Sequence, residues 1–132
     1  MTDKKLTDYE KYIRTEELLA LQKSPDQMVH PDELLFQVIH QQMELWLKEV
    51  CFEIERISGQ IDREELDQAS HYLRRVSMTL DHLARSLAIL ETMPPADYHI
   101  IRLTALGKGS GQESPGFNAV LERLPGLWPN YQ

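Results

Sequence analysis

Residues 62–90 read DREELDQASHYLRRVSMTLDHLARSLAIL, and this stretch decides the fold class. Leu66, Ala69, Leu73, Val76, Leu80, Leu83, Leu87 and Leu90 return in alternating steps of three and four. That spacing lays apolar side chains along one stripe of an α-helix. A stripe this long predicts packing against a second helix. Asp62, with Glu65 three residues on, has the form of a capping box and predicts where the helix starts. Pro94 and Pro95 predict its end.

Working upstream, Pro31 sits where a first helical residue belongs, followed by Asp32 and Glu33. Leu34, Leu35, Val38, Ile39, Leu45, Trp46, Val50, Ile54 and Ile57 then recur at helical spacing as far as Gly59, the expected C-cap. The connector around Ser58 to Ile61 is short, so the two helices should form an antiparallel hairpin. Further upstream, Pro25 and Asp26 mark a turn. Thr15 is the expected N-cap of a short helix ending near Gln22, and residues 1–14 read as an extended polar arm. Downstream, Tyr98 to Leu106 suit a third helix, and Gly107-Lys108-Gly109-Ser110-Gly111 breaks it. Ser114-Pro115 restarts a helix that Leu124-Pro125-Gly126 ends. With no period-two alternation and no internal repeat, the expectation is all-α: a helical bundle over residues 15–132, preceded by the arm.

The composition excludes several roles. Twenty-one acidic residues against 14 basic ones give a net charge of -7, the wrong sign for tracking nucleic-acid phosphates. Cys51 is the single cysteine and cannot form an internal disulfide. No apolar run is long enough to span a membrane, and no apolar segment follows the two early lysines to make a secretory signal, so a cytoplasmic location is expected.

Three features carry chemistry. His40 lies one helical turn from both Phe36 and Glu44, at the edge of the apolar stripe. A histidine there can face a pocket and exchange a proton, or simply pair with Glu44 as a half-buried helix residue. His40 with Glu44 and Asp67 with His71 have metal-ligand spacing, but neither belongs to a helical di-iron or zinc-protease motif, and no protein-only metal site is expected. Tyr98 and Arg102 share a helix face. Such an arginine suits a bidentate carboxylate clamp, or a snorkelling surface position. The glycine-rich segment fails the dinucleotide pattern at Gln112 and lacks the close of a P-loop; its glycines suit a close backbone approach to something flat, or a helix break.

Together these residues resemble a known family. Tyr9-x-x-Tyr12-Ile13, then Glu17-Leu18-Leu19-x-Leu21-Gln22, resembles the opening of tryptophan 2,3-dioxygenase. The match sharpens at Asp32-Glu33-Leu34-Leu35-Phe36-x-x-x-His40-Gln41-x-x-Glu44-Leu45-Trp46-x-Lys48 and runs on through Pro95-x-x-Tyr98-x-x-x-Arg102 to Leu106-Gly107-x-x-Ser110-Gly111. The resemblance implies a heme-dependent oxygenase that uses dioxygen on an aromatic amino acid, either opening the indole of tryptophan to N-formylkynurenine or hydroxylating a tryptophan- or tyrosine-like substrate. It implies that His40 lies on the distal side of the heme and hydrogen-bonds the indole nitrogen, with Phe36 lining the pocket. By the same resemblance Arg102 is expected to bind the substrate carboxylate with Tyr98 close by, and Ser110, between Gly109 and Gly111, to lie beside the heme. The resemblance further implies that Tyr9, Tyr12 and Ile13 reach into a neighbouring subunit, and so a homo-oligomer, a dimer or tetramer exchanging arms.

The departures are specific. Gln41-Gln42-Met43-Glu44 stands where the family has Gln-Thr-Ser-Glu, and one extra residue separates Arg102 from Gly107. Ser110-Gly111-Gln112-Glu113-Ser114 replaces Ser-Gly-Phe-Gln-Ser, with Phe117 following. No residue matches the family's proximal histidine, so either a second polypeptide supplies the heme ligand, or the chain is a truncated, non-catalytic relative that binds an aromatic ligand or a partner, or the sequence is a fragment of a longer one.

Overall fold

The computed structural model describes residues 4–107, 109 and 111–127, all in helices and their connectors, with no strand among them. In chain order the helices are α1 (Asp8–Ile13), α2 (Thr15–Leu18), α3 (Glu33–Asp62), α4 (Leu66–Leu90), α5 (Pro95–Ile101) and α6 (Pro115–Arg123). The all-α expectation holds, and the long hairpin is α3 against α4.

Its register is legible from the pairs that cross it. Gln42 meets Ser86 at 2.9 Å, Trp46 meets His82 at 5.5 Å between ring centroids, and Glu53 meets Arg75 at 3.2 Å. As one number rises the other falls by the same step, so the helices are antiparallel. Between them Leu47, Val50, Ile54 and Ile57 of α3 pack with Ala69, Val76 and Leu83 of α4 and Val120 of α6, and half-buried Cys51 lies against this core. Glu53 is buried in the same interface, yet it is paired with Arg75 and with Arg56 at 3.3 Å. Both guanidiniums lie over the Tyr72 ring, at 4.4 Å for Arg56 and 4.8 Å for Arg75. The pairing offsets the cost of taking the carboxylate out of water.

Only part of the α4 stripe is buried. Ala69, Val76 and Leu83 face α3, whereas Leu66, Leu73, Leu80 and Leu87 are exposed. One partner helix covers one narrow seam, and α6 packs chiefly on α3 rather than across α4. The same holds on α3, where Leu34, Val38, Leu45 and Trp46 lie outside the core that Ile39, Val50, Ile54 and Ile57 enter.

Several helix boundaries depart from expectation. Residues 8–13 of the arm are helical, because Thr7 and Glu10 form a full capping box: Glu10 N–H donates to Thr7 Oγ1 at 3.1 Å, and Thr7 N–H to Glu10 at 2.7 Å. Thr15 is the first residue of α2 rather than its cap; the cap is Arg14, in the left-handed region. α3 starts at Glu33 and passes through Gly59 to Asp62. The Asp62–Glu65 box does not form. Glu65 instead accepts from Arg63 at 3.1 Å, and the chain reverses through Glu64 at φ 58°. Thr7→Ala should fray α1 locally at a cost of about 1 kcal/mol, read as faster amide exchange at Glu10 while α3 and α4 stay protected.

Two anchors fix what surrounds α3. At its start Glu33 is fully buried; its carboxylate accepts from Val29 N–H at 2.8 Å and meets Lys23 Nζ at 2.6 Å, tying the preceding loop to the helix. A second apolar cluster of Phe36, Met93 and Ile101, with Leu35, Leu90 and Tyr98 against it, seats α5 beside the first turns of α3.

Candidate functional site

His40 projects from α3 one turn after Phe36, and its ring lies against that phenylalanine with centroids 4.3 Å apart. Nδ1 is 2.6 Å from the Phe36 carbonyl oxygen. A carbonyl only accepts, so Nδ1 must donate, which leaves Nε2 as the ring nitrogen open to a ligand. The alternative pairing with Glu44 does not form. Glu44 accepts instead from Ser114 Oγ and from Gly116 N–H at 3.0 Å, both at the start of α6. Asp67 and His71 likewise remain apart, the His71 ring standing edge-on to Tyr72 at 5.0 Å.

A cleft of about 490 Å³ opens here, lined by His40, Met43, Glu44, Leu87, Arg102, Gln112, Ser114 and Phe117. It joins four elements: α3, the end of α4, the turn after α5 and the start of α6. Arg102 is exposed and has no carboxylate partner among the described residues. It opens a π-helical turn, Arg102–Leu106, that continues α5 without a break. Such wide turns absorb one residue more than an α-turn, and this one coincides with the extra residue counted between Arg102 and Gly107. Arg102 also lines a neighbouring cleft of about 630 Å³ with Tyr98, His99 and Glu91. Tyr98 is half-buried there, its ring 6.0 Å from that of Phe36.

The structure therefore brings His40 and Arg102 to one cavity, whereas Tyr98 lines the neighbouring cleft that Arg102 also borders. Phe36 is buried behind His40 and backs the imidazole without lining the cleft. Gly109 is half-buried, and a Cβ there would meet the Leu106 carbonyl oxygen at 3.0 Å, so the chain folds back tightly. Gly111 opens a 3₁₀ turn, Gly111–Glu113. Ser110 lies outside the described residues, as do Lys108 and Trp128. Tyr9, Tyr12 and Ile13 stand on α1, all exposed and none lining this cleft. Gln112, Ser114 and Phe117 were not expected as site residues. No local motif marks them, because their place in the cavity follows from α6 folding back along α3.

Among the described residues one group offers three possible metal ligands: His30, Asp32 and Asp97, with donor atoms within 4.8 Å of one another. One hydrogen bond is made within it: Asp32 N–H donates to His30 Nδ1 at 3.0 Å, so the ring's proton sits on Nε2, 3.4 Å from Asp97 Oδ1. A cation on Nε2 would have to displace that proton, and the group reads as a clip between α5 and the start of α3.

A heme needs two flat walls and an axial donor. The cleft supplies one apolar wall, from Met43, Leu87 and Phe117, with His40 Nε2 beside it. No second imidazole lines it among the described residues. His30 is held in the clip, His71 and His82 line a separate cleft with Trp46, and His99 lines the neighbouring cleft with Arg102. These residues fit one face of the macrocycle and leave the other to be covered.

Comparison with known proteins bears on the family. The family model described as tryptophan 2,3-dioxygenase matches residues 2–127. A tryptophan 2,3-dioxygenase of Caulobacter vibrioides is 44% identical over 119 residues, covering 90% of this chain and 44% of the relative. Those of Saccharopolyspora erythraea and Shewanella woodyi are 36% and 37% identical over 112 residues, each covering 85% of this chain. The chain spans less than half the length of these relatives, 44%, 40% and 38% respectively. The breadth of the family match and the level of identity decide the point: this chain belongs to the tryptophan 2,3-dioxygenase family.

Proposed function

We propose that this chain forms the substrate-binding half of a heme-dependent oxygenase acting on an aromatic amino acid, tryptophan first among them. The observation that carries the reading is the shared cavity. His40, oriented by the Phe36 carbonyl, presents Nε2, and Arg102, with no carboxylate partner among the described residues, borders the same space. Nε2 accepts the indole N–H, or a phenol O–H in a tyrosine-like substrate. Arg102 holds the carboxylate through charge-assisted bonds, and Tyr98 flanks it. Met43, Leu87 and Phe117 exclude water from one side of the ring. Heme bound over this wall would supply the iron that activates dioxygen. On this reading His40, with Phe36 behind it, and residues 109–111 would border the heme, and the remaining residues needed to hold it would come from a second polypeptide or a longer chain.

The exposed Tyr9, Tyr12 and Ile13 fit a role in a partner subunit's site, in a dimer or tetramer formed by exchange of α1, with residues 15–132 acting as one helical domain. None of the described helices is long and apolar enough to cross a membrane, which is consistent with a cytoplasmic enzyme.

Titration of the hemin-supplemented protein with L-tryptophan, followed by calorimetry and by the heme absorbance band, tests the reading. Saturable binding is expected, weakened roughly 10- to 100-fold in Arg102→Ala, the worth of a charge-assisted pair. His40→Ala should weaken it less and abolish any ligand-induced shift of the band. Wild-type protein that binds neither L-tryptophan nor L-tyrosine would sink the proposal.

A further inference from the structure

α6 is nine residues long, too short to persist on its own. Three contacts hold it to α3: Val120 buried in the core, Arg123 to Glu55 at 3.0 Å, and Glu44 at its first turn. The Glu44 contact is the most specific. One carboxylate oxygen accepts from Ser114 Oγ and the other from Gly116 N–H, while Ser114 Oγ accepts from Phe117 N–H at 3.1 Å. The amides left without partners at the start of α6 are thus met by its own cap and by a side chain some 70 residues upstream. Gly116 makes the approach possible. A Cβ there would lie 2.7 Å from the Glu44 carboxylate and 2.8 Å from Leu47 Cβ, and Leu47 is buried and unable to yield. Asn118 donates to the Gln112 carbonyl at 3.2 Å and so ties the preceding turn to the same helix.

The arrangement delivers Phe117 to the cleft. Its ring is about half exposed and borders the same space as His40 and Arg102. Gln112, where the family resemblance would place a phenylalanine, borders that space as well and offers no aromatic face.

We propose that Phe117 is the aromatic wall of the ligand cleft and a determinant of its specificity, presented by a latch in which Glu44 grips the first turn of α6 and Gly116 lets that turn reach α3. The inference rests on the reading of the cleft as an aromatic amino-acid site. Phe117 touches the ligand ring, whereas Glu44 is a positioning residue. Both Glu44 oxygens are committed to α6, so the carboxylate holds the wall in place without serving as a base for His40.

The test combines amide hydrogen exchange with calorimetry on the 132-residue protein, alone and with hemin, using L-tryptophan and L-tyrosine as probes. Phe117→Ala and Phe117→Leu should weaken binding of both ligands about tenfold, while Phe117→Tyr keeps it. Glu44→Ala should weaken binding by a similar factor and lower the protection of the Gly116 amide about tenfold or more. Glu44→Gln, whose side-chain oxygen still accepts from Gly116 N–H, should restore most of both. If Phe117→Ala binds as wild type does while Arg102→Ala fails, the wall is elsewhere and this inference falls with the site intact. If Glu44→Ala leaves Gly116 protected, the latch is wrong. Wild-type protein that binds neither probe removes the site reading, and the inference with it.

Discussion

Lys23→Met should destabilise the protein by about 3–5 kcal/mol at neutral pH, the usual cost of leaving a buried carboxylate without its cation. Glu33 is fully buried and Lys23 Nζ lies 2.6 Å from it. Burial pushes the Glu33 carboxyl up, but the Lys23 hydrogen bond, the Val29 N–H and the lysine charge outweigh burial and hold it below the ordinary carboxylate range. A lowered native value means the contribution is present above the range where the unfolded chain titrates, and is lost as pH falls through the native value. In Lys23→Met burial meets only the Val29 bond, and the carboxyl should take up a proton more readily. The gap between wild type and variant is therefore widest at neutral pH and narrows on acidification. Thermal melts at a series of pH values check this, at roughly 4 °C per kcal/mol for a chain of this length. A gap that does not change with pH would mean that Glu33 is not the group responsible.

Ile101→Ala is expected to cost about 2–5 kcal/mol and to weaken the proposed aromatic amino-acid binding as well. Ile101 is fully buried with Phe36 and Met93, and this cluster seats α5 against the start of α3. The next residue is Arg102, so the cavity left by the lost side chain lies at the base of the proposed clamp. Denaturant unfolding reads the stability, and calorimetry with L-tryptophan, at a temperature where the variant is folded, reads the affinity. Stability falling with affinity unchanged would show that the π-turn, rather than the cluster, positions the guanidinium.

His40 and Arg102 could be singled out as pocket candidates because each sits at a definite point on a helical stripe, and the resemblance gave each a role. The structure supplies what spacing could not: a cavity they share. It also decides between two partners for His40. Glu44 is one turn away and of suitable chemistry, but α6 takes its carboxylate, and the imidazole turns to the Phe36 carbonyl instead. Local spacing counts the residues within reach and cannot weigh a competitor 70 positions downstream. Phe117 was invisible for the same reason, since a phenylalanine in a short amphipathic helix looks like core until the helix is placed.

The 3.6-residue period of the two long helices, the proline and glycine breaks between elements and the Ser114-Pro115 start of α6 are local properties, set by backbone sterics and by which face of each segment is apolar. They determined an all-α chain with an antiparallel hairpin from the amino-acid order alone. Tertiary structure decided which part of each apolar stripe is buried, because that depends on how many helices are present to cover it. It decided the turn at Arg63–Glu64, where Glu65 takes the N-cap position of α4 but its side chain pairs with Arg63 and makes no cap hydrogen bond. It also decided that His40, Arg102 and Phe117, from three separate segments, meet at one cavity: side chains far apart in the chain are brought together only by the packing of the helices that carry them.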